Sequence, residues 1–185
     1  MEPIFTVGHS TRSAEDFIAL LKAHRVDLLV DVRTVPKSRH NPQFNLDTLP
    51  ETLRHEGIDY LHLNELGGLR KARKDSTNTA WRNLSFRGYA DYMEKPEFEK
   101  GILRLMELAE TKRLAVMCAE AVPWRCHRSL ISDALTARGA EVFELASPTK
   151  AQPHKMTPFA RVEGTRVTYP WRDGQATLFG DWSAH

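Results

Sequence analysis

Apolar residues follow two rhythms along the chain. Ile4-Phe5-Thr6-Val7, Leu28-Leu29-Val30-Asp31-Val32, Tyr60-Leu61-His62-Leu63, Leu114-Ala115-Val116-Met117 and Glu141-Val142-Phe143-Glu144-Leu145 are short, strand-length runs. Between them apolar positions recur at helical spacing: Phe17, Leu20, Leu21 and His24, then Leu49 and Leu53. The same spacing runs through Tyr89, Tyr92 and Met93, breaks at Pro96, and resumes at Phe98, Ile102, Leu105, Met106 and Ala109. A last helical set is Leu130, Ile131, Ala134 and Leu135. Ser13 and Asp47 are predicted as helix caps, Gly57 and Gly139 as helix stops. The nearly continuous second run reads as a strand buried on both faces, as parallel strands are. Strands alternating with helices predict an α/β fold: a three-layer, mostly parallel, Rossmann-like sheet of about five strands with a polar C-terminal tail. The expected division is an α/β domain over 1–145 and a tail over 146–185, partly extended or with a hairpin around Gly164. Residues 70–85, carrying Lys71, Arg73 and Lys74 near Trp81, are predicted to be an exposed insertion.

Composition narrows the class without naming a function. A 41% hydrophobic and 27% charged chain of 185 residues lies near the globular norm, which argues against wholesale disorder. A formal net charge of +2 argues against a polybasic nucleic-acid coat but leaves room for a local basic patch. No apolar run reaches membrane-span length and the N-terminus lacks a secretory pattern, so a cytoplasmic protein with no membrane partner is expected. The two cysteines, Cys118 and Cys126, are too few for a disulfide scaffold and are expected as thiols.

In open parallel sheets, ligands bind beyond the carboxyl ends of the strands. The first strand delivers Gly8, His9, Ser10 and Thr11 there; the second delivers Asp31, Arg33 and a loop with Arg39. The third leads to Glu65, Gly67 and Gly68, and the fourth to Cys118, Glu120, Arg125, Cys126, His127 and Arg128. Gly8 followed by hydroxyl residues ahead of a helix suits a phosphate or carboxylate, or is simply a capped turn. Arg33 and Arg39 offer planar forks for an anion; the competing reading locks Arg33 to Asp31 or Glu65. Cys118, at the end of a buried strand and followed by Arg125, His127 and Arg128, is placed for a lowered thiol pKa, with Glu120 as acid or base. Its bland counterpart is a small buried hydrophobe. Strand, cysteine, loop, arginine, helix is also the order of cysteine phosphatases and rhodanese-type sulfur transferases. The loop to Arg125 is longer here, however, and contains Pro123 and Trp124. Cys118, Cys126 and His127 do not have the compact Cys-x-x-Cys spacing of a zinc site, so neither a metal nor another cofactor is expected. A redox pair between the cysteines requires the loop to fold back. Trp81, Tyr89 and Trp124 are candidates to flank the site.

Several of these motifs together carry a family resemblance. Thr6-Val7-Gly8-His9-Ser10-Thr11, Leu29-Val30-Asp31-Val32-Arg33, Pro36-Lys37-Ser38-Arg39, Leu66-Gly67-Gly68 and Met117-Cys118-Ala119-Glu120 with Cys126-His127-Arg128 make the chain resemble the prokaryotic domain-of-unknown-function family 488. The resemblance implies an intracellular α/β protein and no particular reaction. In the tail, Gln175-Ala176-Thr177-Leu178-Phe179 is similar to the peptide by which bacterial repair proteins dock on the sliding clamp, with Ala176 in place of leucine. Leu178 and Phe179 would fill an apolar pocket and Gln175 would bond its rim. Two functions are therefore expected to compete. One is a thiol-dependent site for an anionic, nucleotide-like or nucleic-acid ligand, with Cys118 and Glu120 reacting and Arg33, Arg39, Arg125 and Arg128 holding the anion. The other is a non-catalytic DNA-repair accessory tethered to the clamp by its tail.

Overall fold

The computed structural model describes residues 1–173. Six strands form one sheet: β1 (Ile4–Gly8), β2 (Leu28–Asp31), β3 (Asp59–His62), β4 (Leu114–Cys118), β5 (Val142–Ser147) and β6 (Lys150–Pro153). Their order is β3-β2-β4-β1-β5-β6. The first five run parallel, and β6 returns antiparallel to β5 from Lys150. The sheet thus has one strand more than the hydrophobic pattern predicts. β6 reads Lys-Ala-Gln-Pro and is an edge strand, so it needs no apolar face to announce it.

Five helices cover the sheet: α1 (Ala14–Ala23), α2 (Leu49–His55), α3 (Leu84–Tyr92), α4 (Pro96–Leu108) and α5 (Arg128–Ala137). Side chains of successive strand residues point to opposite faces, and the two cores show it. Leu28, Val30, Leu114 and Val116 join α3, α4 and α5 in one core. Phe5, Val7, Leu29, Ala115 and Met117 join α1 and α2 in the other. Ser13 caps α1, its hydroxyl accepting from Asp16 N at 3.1 Å. Asp47 does not cap α2. The preceding residue is Thr48, whose side chain makes no capping bond, and Pro50 in the first turn has no N–H to satisfy.

Residues 70–85 are exposed in part, at Lys71, Arg73 and Lys74 and again at Thr79, Arg82, Leu84 and Ser85, but they are not a loose insertion. Asn78, Ala80 and Trp81 are buried, because Trp81 stacks on Phe86 at 4.8 Å and meets Phe159 edge-on at the same distance. The buried Asp91 carboxylate fastens the stretch by accepting from Arg73 N, Ser76 Oγ and Asn78 Nδ2. Beyond β6, β7 (Arg161–Glu163) and β8 (Arg166–Thr168) form a hairpin turning at Gly164, whose φ of +62° suits the first turn position of a tight hairpin. Tyr169 follows, fully buried, with its hydroxyl on Asp133 of α5 at 2.8 Å. The polar stretch after β5 is therefore anchored rather than loose as far as Tyr169, by β6 on β5 and by the buried Thr157, Val167 and Tyr169. The clamp-like peptide with Gln175, Leu178 and Phe179 lies outside the described residues.

Candidate functional site

The chain leaves neighbouring strands β1 and β4 in opposite directions: α1 packs on one face of the sheet and α5 on the other. That divergence opens a crevice above the carboxyl ends of the two strands, the place where open α/β sheets bind ligands. The cleft itself, of about 330 Å³, lies to one side of that point, above the carboxyl ends of β2 and β4: it is lined by Arg33, Cys118, Glu120, Arg125, Cys126 and His127, with Thr34, Val35, Ala119, Gly68-Leu69 and Ser85, Phe86 and Tyr89, and Gly8, His9, Ser10 and Thr11 are not part of its wall.

Cys118 ends β4, and its sulfur accepts from Arg128 Nη1 at 2.9 Å. Arg128 is the first residue of α5 and has 0% of its surface exposed. The same guanidinium donates to the carbonyl of Glu120 at 3.1 Å and, from Nη2, to Glu144 Oε1 at 2.8 Å. Glu144 also accepts from Thr6 Oγ1, so β1, β4, β5 and α5 all meet around one buried charge. Burial by itself raises the Cys118 thiol. A hydrogen bond from the Cys126 thiol and the positive charge of Arg128 outweigh burial and hold it below the ordinary thiol value. Cys126 is pushed the other way, by burial and by its bond to Cys118, and stays protonated. Burial also raises the Glu144 carboxyl against the pull of Arg128. The Cys126 sulfur accepts from Arg128 N at 3.4 Å, substituting for a helix cap at the start of α5.

Gly8 is required by close approach. A Cβ there would lie 1.6 Å from the Glu120 carbonyl oxygen and 2.8 Å from Arg128 Nη1. The main-chain N–H groups of His9 and Ser10 donate to the carbonyls of Cys118 and Ala119, each at 3.0 Å, so they join β1 to the cysteine loop and are not offered to an anion. Ser10 holds a φ of 53°, a left-handed conformation that is rare for a residue with a side chain. Thr11 is exposed. His9 is buried with its ring stacked on Phe44 at 4.3 Å; its Nδ1 bonds the Ser10 carbonyl at 2.8 Å, leaving Nε2 toward Arg33 Nη1 at 3.3 Å. Burial lowers the pKa of His9 to about 4, and the same cause lowers that of His127 to about 4. Both rings are neutral near pH 7.

Arg33 is tied down. Its Nε and Nη2 grip Asp31 at 2.9 and 2.7 Å, and Nη2 also donates to the Phe44 carbonyl at 2.6 Å. Tyr60 donates to the same carboxylate at 2.6 Å. Asp31 is fully buried beneath the site, while Arg39 is exposed and does not line the cleft. Arg125 is the contrast: it is exposed, it lines the cleft, and among the described residues no carboxylate pairs with it. The order strand, cysteine, arginine, helix is therefore present with a different arginine at the sulfur. Arg128, already inside α5, reaches Cys118, and Arg125 is left at the mouth. No group of three or more His, Cys, Asp or Glu side chains among the described residues is placed to hold a metal ion.

The model of a protein family described as Domain of unknown function DUF488 matches residues 13–135. The chain belongs to the DUF488 family. The matched DUF488 segment holds Cys118, Arg125, Cys126, His127 and Arg128, whereas Gly8, His9 and Glu144 lie outside it. Searches among curated proteins and among solved structures found no match to this DUF488 protein. No helix among the described residues is long and apolar enough to cross a membrane.

Glu144, Thr6, Val35, Leu69 and Phe86 complete the site and were not among the residues singled out from sequence. Glu144 stands inside an apolar strand run, and a charged residue in such a run is the signal that marks it. Leu69 carries a φ of 59° and is 84% exposed at the rim of the cleft; nothing in its sequence context announces it.

Proposed function

We propose that the cleft is a reactive-thiol site for an anionic ligand with an apolar portion, of which a nucleotide is the simplest example. Cys118 acts as nucleophile, Glu120 as acid or base, and Arg125 as the group that meets the anion. The observation that carries this reading is the 2.9 Å bond from a wholly buried guanidinium to the Cys118 sulfur on the wall of an open cleft. A cysteine that merely fills space has no use for a buried cation, because desolvating a guanidinium costs several kcal/mol of the order that only close counter-charges offset. Here the counter-charges are Glu144 and the sulfur itself. The apolar side chains of Val35, Leu69 and Phe86 beside Arg125 supply the other half of the specificity.

The test is the rate of iodoacetamide alkylation at Cys118 against pH, read by mass spectrometry of the full chain. The expected profile rises at lower pH than that of free cysteine, because the Cys126 hydrogen bond and the Arg128 charge outweigh burial and lower the thiol. Rates that climb only through about pH 8.5, as for an unperturbed thiol, remove the nucleophile. Adenosine monophosphate is expected to slow alkylation in the native chain and to lose that effect in Arg125→Ala. Equal protection in both would remove Arg125 from its role.

A further inference from the structure

Both cysteine sulfurs wall the same cleft, and both are held by the same residue. Arg128 donates to Cys118 Sγ from its guanidinium at 2.9 Å and to Cys126 Sγ from its main-chain N–H at 3.4 Å. The Cys126 thiol in turn faces the Cys118 sulfur as a hydrogen-bond donor. The two cysteine sulfurs thus share one arginine and one cleft. Cys126 precedes α5 and has an extended backbone, φ −134° and ψ 145°, so its side chain can swing without unwinding the helix. It follows the single-turn segment Pro123–Arg125, which joins it to the loop after β4. The sequence contains no third cysteine to compete for a disulfide.

We infer that Cys118 and Cys126 form a redox couple in which Cys118 reduces an organic hydroperoxide and Cys126 resolves the oxidised sulfur as an intrachain disulfide. This rests on the reading of Cys118 as a reactive thiol and specifies its chemistry. The Cys118 thiolate attacks the terminal peroxide oxygen, the O–O bond breaks, and the alkoxide leaves and takes a proton from water. Cys118 is then a sulfenic acid. The Cys126 sulfur attacks it, the S–O bond breaks, and the departing hydroxide leaves as water with the Cys126 proton. Two electrons pass from the two thiols to the peroxide, and an external dithiol returns them by exchange. An organic peroxide fits the cleft because Val35, Leu69 and Phe86 can pack against its apolar part. The thiol already next to Cys118 intercepts the sulfenic acid before further oxidation.

The experiment treats the reduced full-length chain with one equivalent of cumene hydroperoxide at pH 7, blocks remaining thiols with N-ethylmaleimide, and reads the intact mass. The expected product has lost two hydrogens, carries no maleimide, and regains both alkylation sites after dithiothreitol. Its formation should be several-fold faster than peroxide oxidation of free cysteine, which is only a few per cent thiolate at that pH. Cys126→Ser should instead accumulate a sulfenic acid at Cys118, trapped by dimedone. If wild-type Cys118 is alkylated at lower pH than free cysteine yet peroxide leaves both thiols free, or drives Cys118 to sulfinic acid with no disulfide, the couple is refuted while the reactive-thiol reading survives. If the alkylation profile itself is that of an ordinary thiol, both fall together. The wild-type outcomes decide the matter even where the serine variant fails to fold.

Discussion

Arg128 concentrates the chemistry of the protein in one side chain. Its charge is out of water and is shared between the Glu144 carboxylate and the Cys118 sulfur, so each anion affects how strongly the cation holds the other. Replacing it with methionine, Arg128→Met, leaves Glu144 buried without its partner. The expected result is a loss of about 3 kcal/mol in urea unfolding, the scale for breaking a buried pair, and a Cys118 alkylation profile displaced toward higher pH. Glu144→Gln separates the two roles. With the competing carboxylate neutral, Arg128 leans more on the sulfur, and the alkylation profile should move toward lower pH. A shift to higher pH, measured on folded protein, would show that Glu144 serves the thiol by positioning the arginine. Gly8→Ala acts through sterics alone. A methyl group 1.6 Å from the Glu120 oxygen must displace the loop that follows Cys118, at a cost of about 1–3 kcal/mol in unfolding and with the alkylation profile moving toward that of free cysteine.

Among the elements, α5 is where the two ends of the domain are tied. Its Asp133 is fully buried and accepts from Thr157 N at 3.0 Å and Tyr169 hydroxyl at 2.8 Å, with His154 Nε2 at 2.7 Å on the same carboxylate. Asp133→Ala leaves these donors facing a void. Because each unsatisfied buried group costs about 1–3 kcal/mol, the chain from His154 to Tyr169 should detach first, seen as hydrogen exchange rising there before it rises in β1 or β4. Unchanged exchange in that stretch would show that the Trp81, Phe159 and Tyr169 ring cluster holds it unaided. This clasp was not legible in the sequence, whereas the β-α-β core was. Continuous runs such as Leu28-Leu29-Val30 and the spacing of Leu130, Ile131, Ala134 and Leu135 record burial directly, because apolar periodicity is burial written along the chain. The stretch from 146 onward is held by the β5–β6 pairing, by isolated rings at Phe159 and Tyr169 and by polar bonds to Asp133, none of which leaves a periodic trace. The site was half legible for the same reason. Strand ends located Cys118, His127 and Arg33, but which arginine reaches the sulfur depends on where the loop crosses and on how α5 is rotated. For Arg33 the sequence left an anion and a lock to Asp31 or Glu65 both open, and the structure has the lock to Asp31, its neighbour but one.

At the scale of the whole molecule, His9 and His127 make the fold sensitive to acid. Each is buried neutral with a pKa lowered to about 4, against about 6.5 when exposed in the unfolded chain. Between those values the unfolded state binds more protons than the native state, so the stability contributed by keeping the rings neutral is present above about pH 6.5. It is lost as pH falls toward about 4, each pH unit within that window costing about 1.4 kcal/mol per histidine as an upper bound. Urea midpoints measured from pH 7 down to pH 4 should fall, and His9→Gln should flatten the fall if it folds. An unchanged midpoint across the range would mean that both rings reach water. Both histidines sit beside the cleft or below it, so acid should disturb the site before it disturbs the distant ends of the helices.

The position of β1 has a practical consequence for anyone trimming the gene. Ile4–Gly8 is hydrogen-bonded to β4 on one side and β5 on the other, yet both it and β5 lie outside the family-matched stretch 13–135. A clone cut to that stretch would remove β1, leaving one edge of β4 bare, with Val116 and Met117 paired to β2 alone. Such a fragment should emerge in inclusion bodies, and restoring residues 1–12 together with 136–173 should return it to the supernatant.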